Sequence, residues 1–434
     1  MKRNKIRVEI FFLCRVRTLK LLCFMGLGLS FASSVVAQGI ALRGVGAVND
    51  GMAGAGVAAP LDAAGAIHWN PASIASFDYN QASFGMMLVV PDLEVSSSIF
   101  GIDGVSRSES GVAPIPVMGI VHRTADPRIN LGLGIYGIAG FKVNYDVSQT
   151  NPILLPQASM GLIPSLGRVN MEAEFFQIAP TISYAMTERL SLGFAPTMTL
   201  GRLAINPFIG APPEAGIYPE SSGSRYHFGG GFQVGMRYLL NEDWAIGASF
   251  KSPQWFENFR FKSQYPSGAP YRGDLKFDYP MIVSLGSAYY GLPGIVWATD
   301  FRYFNYEAAD GFGDAGMNPD GSIMGTGWKD VFSVATGLQR ELTERFAVRC
   351  GYVFNTSPIR DDNLLINVAA PVITRHIATV GFSYRLTEQL TFSAAYLHAF
   401  RSRQTGPYLD LVPGSTLELS TAAYALSTGL TVSW

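Results

Sequence analysis

Beyond residue 80 apolar and polar side chains alternate with a period of two, the spacing that sends successive residues to opposite faces of a β-strand. The alternation predicts fourteen strands, near 81–90, 115–123, 129–138, 171–186, 190–205, 223–240, 244–262, 272–290, 294–305, 329–341, 346–357, 373–385, 390–401 and 416–434. Several exceed the roughly 5–6 residues usual in soluble sheets and match the ~9–11 tilted residues that cross a bilayer. The connections sort by length. Every second one is a short polar turn: Thr124–Arg128, Thr187–Arg189, Asn241–Asp243, Gly291–Pro293, Leu342–Arg345 and Leu386–Gln389. The others, 91–114, 139–170, 206–222, 263–271, 306–328, 358–372 and 402–415, are long. Strict alternation gathers all long connections at one end of a closed, antiparallel all-β barrel and leaves both barrel ends on the short-turn side.

The two faces of single strands differ in chemistry. In the last strand Tyr424, Leu426, Leu430, Val432 and Trp434 oppose Ala425, Ser427, Gly429, Thr431 and Ser433. In the eleventh, Phe346, Val348, Cys350, Tyr352 and Phe354 oppose Arg349, Gly351 and Asn355. In the sixth, Tyr226, Phe228, Phe232, Val234, Met236 and Tyr238 oppose Arg225, His227, Gln233 and Arg237. A charge facing the bilayer midplane costs about 2–4 kcal/mol, so the apolar faces suit lipid and the polar faces a lumen. A buried sandwich core would also alternate; the sorting of loop length favours the barrel. The chain closes on aromatic Trp434, the kind of terminal strand that the barrel-assembly machinery reads as its signal in outer-membrane proteins.

Composition sharpens this picture at the start of the chain. Lys2, Arg3, Lys5, Arg7, Arg15, Arg17 and Lys20 precede an apolar run from Leu21 to Ala32, too short to span a membrane. Val35-Val36-Ala37 offers small residues at a cleavage site, so residues 1–37 are expected to be a signal peptide. They carry seven of the 32 Lys+Arg and one of the 33 Asp+Glu, leaving 25 against 32, a net charge of about −7. That balance argues against nucleic acid as a partner. Cys14 and Cys23 leave with the signal, and Leu22 before Cys23 disfavours lipoprotein cleavage. Cys350 then stands alone, so neither an internal disulfide nor a thiolate metal cluster is available.

Residues 38–80 differ again. Gly44, Gly46, Gly51, Gly54, Gly56 and Gly65 alternate with alanines, and the stretch closes on His68-Trp69-Asn70-Pro71-Ala72. Such a composition makes poor strands and cannot supply a lipid-facing belt. A segment folded into the lumen, or a periplasmic tail, are the two readings. Asn70-Pro71 marks a turn.

Arg43-Gly44, Gly51 through Gly56, Asp62-Ala63-Ala64 and Asn70-Pro71-Ala72 together resemble the N-terminal hatch of the FadL/TodX family. The likeness resumes at Gly327-Trp328-Lys329-Asp330, at Val348 through Tyr352 and at Thr356 through Ile359. The resemblance implies a fourteen-stranded outer-membrane barrel (81–434) whose lumen is closed by a hatch (38–80) and which passes long-chain fatty acids or aromatic hydrocarbons. It further implies capture among the external loops, a hatch gate at Asn70, Pro71 and Ala72, and a kinked third strand that lets ligand leave sideways into lipid. The third strand runs Leu131-Gly132-Leu133-Gly134-Ile135-Tyr136-Gly137, and Gly137 is the expected kink. Leu154, Leu155, Met160, Leu162 and Ile163 make the following loop unusually apolar: a capture surface, or a loop packed on itself. Arg349, Arg302 and Arg237 face the lumen as candidate partners for a ligand carboxylate, or for inward acids such as Asp300.

Catalysis finds no support. The five histidines, His68, His122, His227, His376 and His398, sit in no nucleophile-elbow or metal-binding spacing. His227 and Ser224, three apart on a strand, point to opposite faces. The reading is therefore a monomeric outer-membrane transporter of small hydrophobic molecules, without metal or organic cofactor; a non-specific porin or a structural or adhesive barrel is the alternative.

Overall fold

The computed structural model describes residues 38–434 apart from 160, 162, 163 and 410. The expected signal peptide, and Met160, Leu162 and Ile163 of the apolar loop, lie outside the described residues. Fourteen strands form the wall: β1 (Gln81–Ile99), β2 (Ala113–Arg123), β3 (Ile129–Tyr145), β4 (Val169–Ala185), β5 (Leu190–Asn206), β6 (His227–Leu239) and β7 (Trp244–Lys251). They continue as β8 (Met281–Leu292), β9 (Ile295–Asn305), β10 (Val331–Thr343), β11 (Phe346–Asn355), β12 (His376–Arg385), β13 (Leu390–Gly406) and β14 (Thr416–Ser433). Each pairs antiparallel with its chain neighbours, and β1 closes the ring on β14 from Gln81↔Ser433 to Ser98↔Thr416. Closure leaves no sheet edge to face lipid, the condition for a β-structure to cross a membrane.

Number and order of strands agree with the alternation, and short and long connections alternate as read. The boundaries differ where the long loops have structure of their own. β7 stops at Lys251 and β8 starts at Met281, so the expected strands 244–262 and 272–290 overrun. The residues between form a hairpin, Phe259–Gln264 against Pro270–Leu275, which also pairs with Glu220–Ser221 in a separate three-stranded sheet. Its period of two is genuine, with Phe259 and Phe261 buried and Arg260 and Lys262 exposed, but it serves the loop's own core. Conversely β1 and β3 run well past the expected 90 and 138, and a hairpin strand, Ile102–Arg107, folds back on β1.

The outer face is apolar round the ring: Phe84, Leu88, Leu131, Ile182, Phe194, Val234, Leu285, Phe301, Val380, Tyr396 and Leu426 are all exposed. In water this surface would be a liability; against acyl chains it is the stabilising contact.

The inner face receives residues 38–80. This segment carries two short helices, α1 (Gly46–Gly51) and α2 (Ala63–Trp69), and a 3-10 turn, Pro71–Ser76. Asp62 starts α2 by accepting from the Gly65 amide, 3.3 Å. Met52, Val57, Ala63, Ile67, Trp69, Ala72 and Ile74 are buried. The wall meets this backbone with glycine. A Cβ on Gly119 (β2), Gly193 (β5), Gly235 (β6), Gly247 (β7), Gly286 (β8), Gly337 (β10) or Gly351 (β11) would fall within 3.0 Å of segment atoms. The seven form a girdle on which the N-terminal segment rests in close approach, by backbone at Gly119, Gly193, Gly247 and Gly337 and by the side chains of Asn70 and Pro71 at Gly235.

Filling that girdle should unseat the segment without breaking the wall, since overpacking a close contact costs typically about 1–3 kcal/mol. Gly193→Val, aimed at Pro71 and Ala72, should raise small-sugar permeation in liposome swelling while the barrel keeps its heat-modifiable mobility. Gly230→Ala, whose Cβ would meet only the Thr197 carbonyl at 3.6 Å, should leave permeation unchanged.

Candidate functional site: a notch in the wall behind the N-terminal segment

The wall is irregular at one place on β3. Its ladder with β2 runs from Arg123↔Asn130 only as far as Val117↔Tyr136. Its ladder with β4 slips between Gly137 and Ala139, leaving Ile138 as an extra residue. Above that point Ala139–Tyr145 pair with β4 alone, while residues 113–116 of β2 pair with β1 alone. Gly137, the glycine singled out for a kink, adjoins this slip. A Cβ there would press on the Ile115 side chain.

The free edge of β3 is taken up from inside. Leu42 N–H donates to the Ile138 carbonyl at 2.9 Å and Gly140 N–H to the Ile40 carbonyl at 3.4 Å, with Ala41 opposite Ala139. The first residues of the N-terminal segment thus stand where β2 would have continued. Behind them lies a cavity of about 400 Å³. Ile40, Leu42, Met87, Val89, Ile115 and Leu397 give it apolar walls, and it reaches the β2–β3 discontinuity at Pro114, Ile115 and Gly137. Volume and lining suit a small apolar ligand.

Buried charges fix the rest of the segment. Asp300 and Arg302, on β9 and both sealed from solvent, pair at 2.7 Å. Asp300 accepts from Gly56 N–H at 2.8 Å, and Arg302 donates to the Gly54 carbonyl while its guanidinium stacks 3.4 Å from the Trp69 ring centre. Arg237 donates to the Ala58 carbonyl, 3.0 Å, and to Ser76 Oγ, 2.7 Å. Arg349 bonds Gln339 and Ser383 on neighbouring strands and packs its stem against Gly51. The three lumen arginines therefore hold wall and segment together, and none lines the cavity. Asn70 spans the same junction: its Nδ2 donates to the carbonyls of Val57, 2.7 Å, and Met236, 2.9 Å, and its Oδ1 accepts from Ala72 N–H, 3.1 Å. Pro71 and Ala72 continue into the 3-10 turn against Gly193.

On the external side Leu154 lies in its loop's own core. Asn151 bonds the Val95 carbonyl at 3.0 Å, Ile153 N–H donates to Ser97 Oγ at 3.0 Å, and both draw the Pro152–Leu154 turn under the β1 extension. Leu154 is buried there and Leu155 half-buried, so this part of the loop is packed on itself rather than presented outward.

Two features were missed from the pattern. The glycine girdle has no short-range signal, because its members meet the segment only after the ring closes. Arg43, which lines the cavity, is the sole Lys or Arg between residues 38 and 80, a singularity that could have drawn notice.

Burial also shifts the segment's own titratable groups. It pushes the Asp62 carboxyl up to about 7 and Asp50 up to about 6, against the opposing pull of Arg349 on the first and of Ser427 and Arg43 on the second. Burial, helped by Lys251 and Arg302, holds His68 well below the usual imidazole range. Each carboxyl binds its proton more tightly folded than unfolded, so its stabilising contribution declines as pH rises from about 4 to the folded value. His68 acts oppositely, weakening the fold as pH falls below 6.5. Asp62→Asn keeps a capping oxygen and removes one titration. Protease resistance of residues 38–72 in this variant, relative to the unsubstituted protein, should therefore rise between pH 5 and pH 7 and level off above; a constant ratio would place the proton elsewhere.

Known proteins show the same plan. The description "Outer membrane protein transport protein (OMPP1/FadL/TodX)" matches residues 28–434. A long-chain fatty acid transport protein of Escherichia coli O6:H1 is 23% identical over 404 residues, covering 82% of this chain and 85% of its own. A 47 kDa outer membrane protein of Pasteurella multocida is 22% identical over 402 residues, covering 86% and 90%. Among solved structures, the Pseudomonas putida toluene transporter TodX superposes with a TM-score of 0.67 at 17% identity, and a Pseudomonas aeruginosa FadL homologue with 0.70 at 14%; each covers 91% of this chain and 99% of its own. With a match over nearly the whole described length, the chain belongs to the OMPP1/FadL/TodX family of outer-membrane transport proteins, and is a transporter rather than an enzyme.

Proposed function

We propose that this barrel carries small hydrophobic molecules, long-chain fatty acids or hydrocarbons, from the external loops through the cavity and out sideways between β2 and β3 into the membrane. The observation that carries the reading is the coincidence of three features: an apolar cavity, a wall whose ladder ends beside it, and a removable element, residues 40–42, occupying the gap. Backbone that lacks strand partners is tolerated at membrane depth only where protein or a water-filled cavity satisfies it. An edge so costly is retained for use. An apolar ligand at the gap gains about 0.8 kcal/mol per CH₂ by entering lipid instead of periplasmic water. Relatives described as carrying long-chain fatty acid and toluene are consistent with this ligand class.

On this reading residues 38–80 are a hatch, Asn70, Pro71 and Ala72 anchor the part that stays, and the first residues up to Leu42 are the part that moves. The anchored part has the buried pair and the girdle; the moving part has two backbone bonds to β3 and one from Tyr306 Oη to the Gln38 carbonyl. Ala41 and Ala139 face each other as a non-hydrogen-bonded pair, whose Cα atoms lie about 4.5 Å apart in antiparallel structure and accept a disulfide. Ala41→Cys with Ala139→Cys, in a Cys350→Ser background, should lock the gate. Oxidised cells should take up radiolabelled oleate or toluene about tenfold more slowly than reduced cells, a shift of about 1.4 kcal/mol. Undiminished uptake with the crosslink verified by mass would rule out exit past residues 40–42.

A further inference from the structure

We propose that Arg43 is a specificity residue that receives an anionic head group, a carboxylate, so that the cavity takes an amphiphile in preference to a neutral hydrocarbon; this rests on the transport reading above. The cavity has one polar end. Arg43 lies between the moving residues 40–42 and α1, and its backbone is held in place because its carbonyl accepts from Arg302 at 3.4 Å and packs on Gly54. Its side chain lines the cavity. Its Nε is sealed from bulk solvent and has no hydrogen-bond partner among the described residues.

Lys142, Glu172 and Glu174 round the cavity are matched by one another and by Arg202. Lys142 pairs with Glu172 at 3.4 Å, and Glu172 pairs again with Arg202 at 3.3 Å. Glu174 accepts from Tyr226 at 2.8 Å and lies 3.8 Å from Arg202. Asp50, the acid nearest in charge to Arg43, is bonded to Ser427 on β14. Burial draws Arg43 down to about 10, so it stays charged at neutral pH.

A guanidinium is a rigid fork of donors that fits a carboxylate through two parallel bonds. A site built around a charged donor discriminates strongly against a ligand that leaves it bare. With the carboxylate on Arg43, an alkyl chain would lie along Leu42, Val89 and Ile115 toward the β2–β3 gap, tail first to lipid. Arg43 is also coupled in sequence to the gate, since the residue before it makes the Leu42–Ile138 bond. Occupancy of the head site therefore acts on the element that must move.

The test compares ligands of one tail and two heads. Radiolabelled oleate and oleyl alcohol are bound to the full-length protein in nanodiscs, for the unsubstituted chain and for Arg43→Gln, Arg43→Lys and Asp50→Asn. Arg43→Gln should weaken oleate about tenfold or more and oleyl alcohol less than about threefold, as loss of one charge-assisted pair implies. Arg43→Lys should recover part of the oleate affinity, and Asp50→Asn should leave it intact or tighten it. Sugar-tightness of each variant verifies that the segment is seated. Unchanged oleate binding in Arg43→Gln, or equal weakening of both ligands, would overturn the assignment and make Arg43 a counter-charge to Asp50. Binding of neither ligand by the unsubstituted protein would instead overturn the transport reading itself, and this assignment with it.

Discussion

Inside a bilayer every backbone N–H and C=O needs a partner, a demand that this protein meets by closing a ring of fourteen strands and, on one side of β3, by adding a segment from inside. There the slip at Ile138 releases β3 from β2, and the chain's own beginning supplies the missing bonds. Wall integrity and segment position are thus one constraint. Residues 40–42 fill part of that edge, and Ser108 and Glu109 bond it further along at Asn144.

The middle of the segment is held by buried charge. Burying Asp300 with Arg302 is expensive in desolvation, and such pairs persist where the remaining lone pairs and protons are also satisfied. Here Gly56, Val57 and Gly54 supply bonds from the segment, with Arg302 Nε alone of the pair left without a partner among the described residues, so the pair keeps these bonds only when the segment is seated. The glycine girdle has the same logic in van der Waals terms, allowing backbone to approach backbone where any Cβ would hold it off. Together they give the middle of the segment a single position while leaving residues 40–42 lightly held.

The architecture was largely legible in the sequence because lipid imposes a coarse rule: alternate faces, turn short on one side, turn long on the other. Tyr424, Leu426 and Leu430 against Ala425 and Ser427 record that rule residue by residue, and the structure follows it. The site was legible only in part. Gly137 signalled a break in β3, but which residue is extra depends on the register of two ladders, which periodicity does not carry. Arg237, Arg302 and Arg349 were read as inward; the partners of the first two include segment atoms such as Ala58 and Gly54 that lie far away in the chain, and those of Arg349 are Gln339 and Ser383 on neighbouring strands. The Phe259–Gln264 hairpin alternates as a wall strand does and differs only in what its apolar face meets. Local pattern reports a face; it does not report which neighbour arrives.

The central claim is that a sealed barrel passes apolar molecules while excluding polar ones. It is tested most directly by uptake of radiolabelled oleate and toluene, with a small sugar as control, in cells that lack their own transporter, comparing the intact protein with a chain lacking residues 38–72. The account predicts faster entry of at least one apolar ligand without sugar leakage for the intact protein, and sugar leakage once the segment is removed. Sugar entry through the intact protein with no gain for either apolar ligand would contradict it and leave a porin in its place.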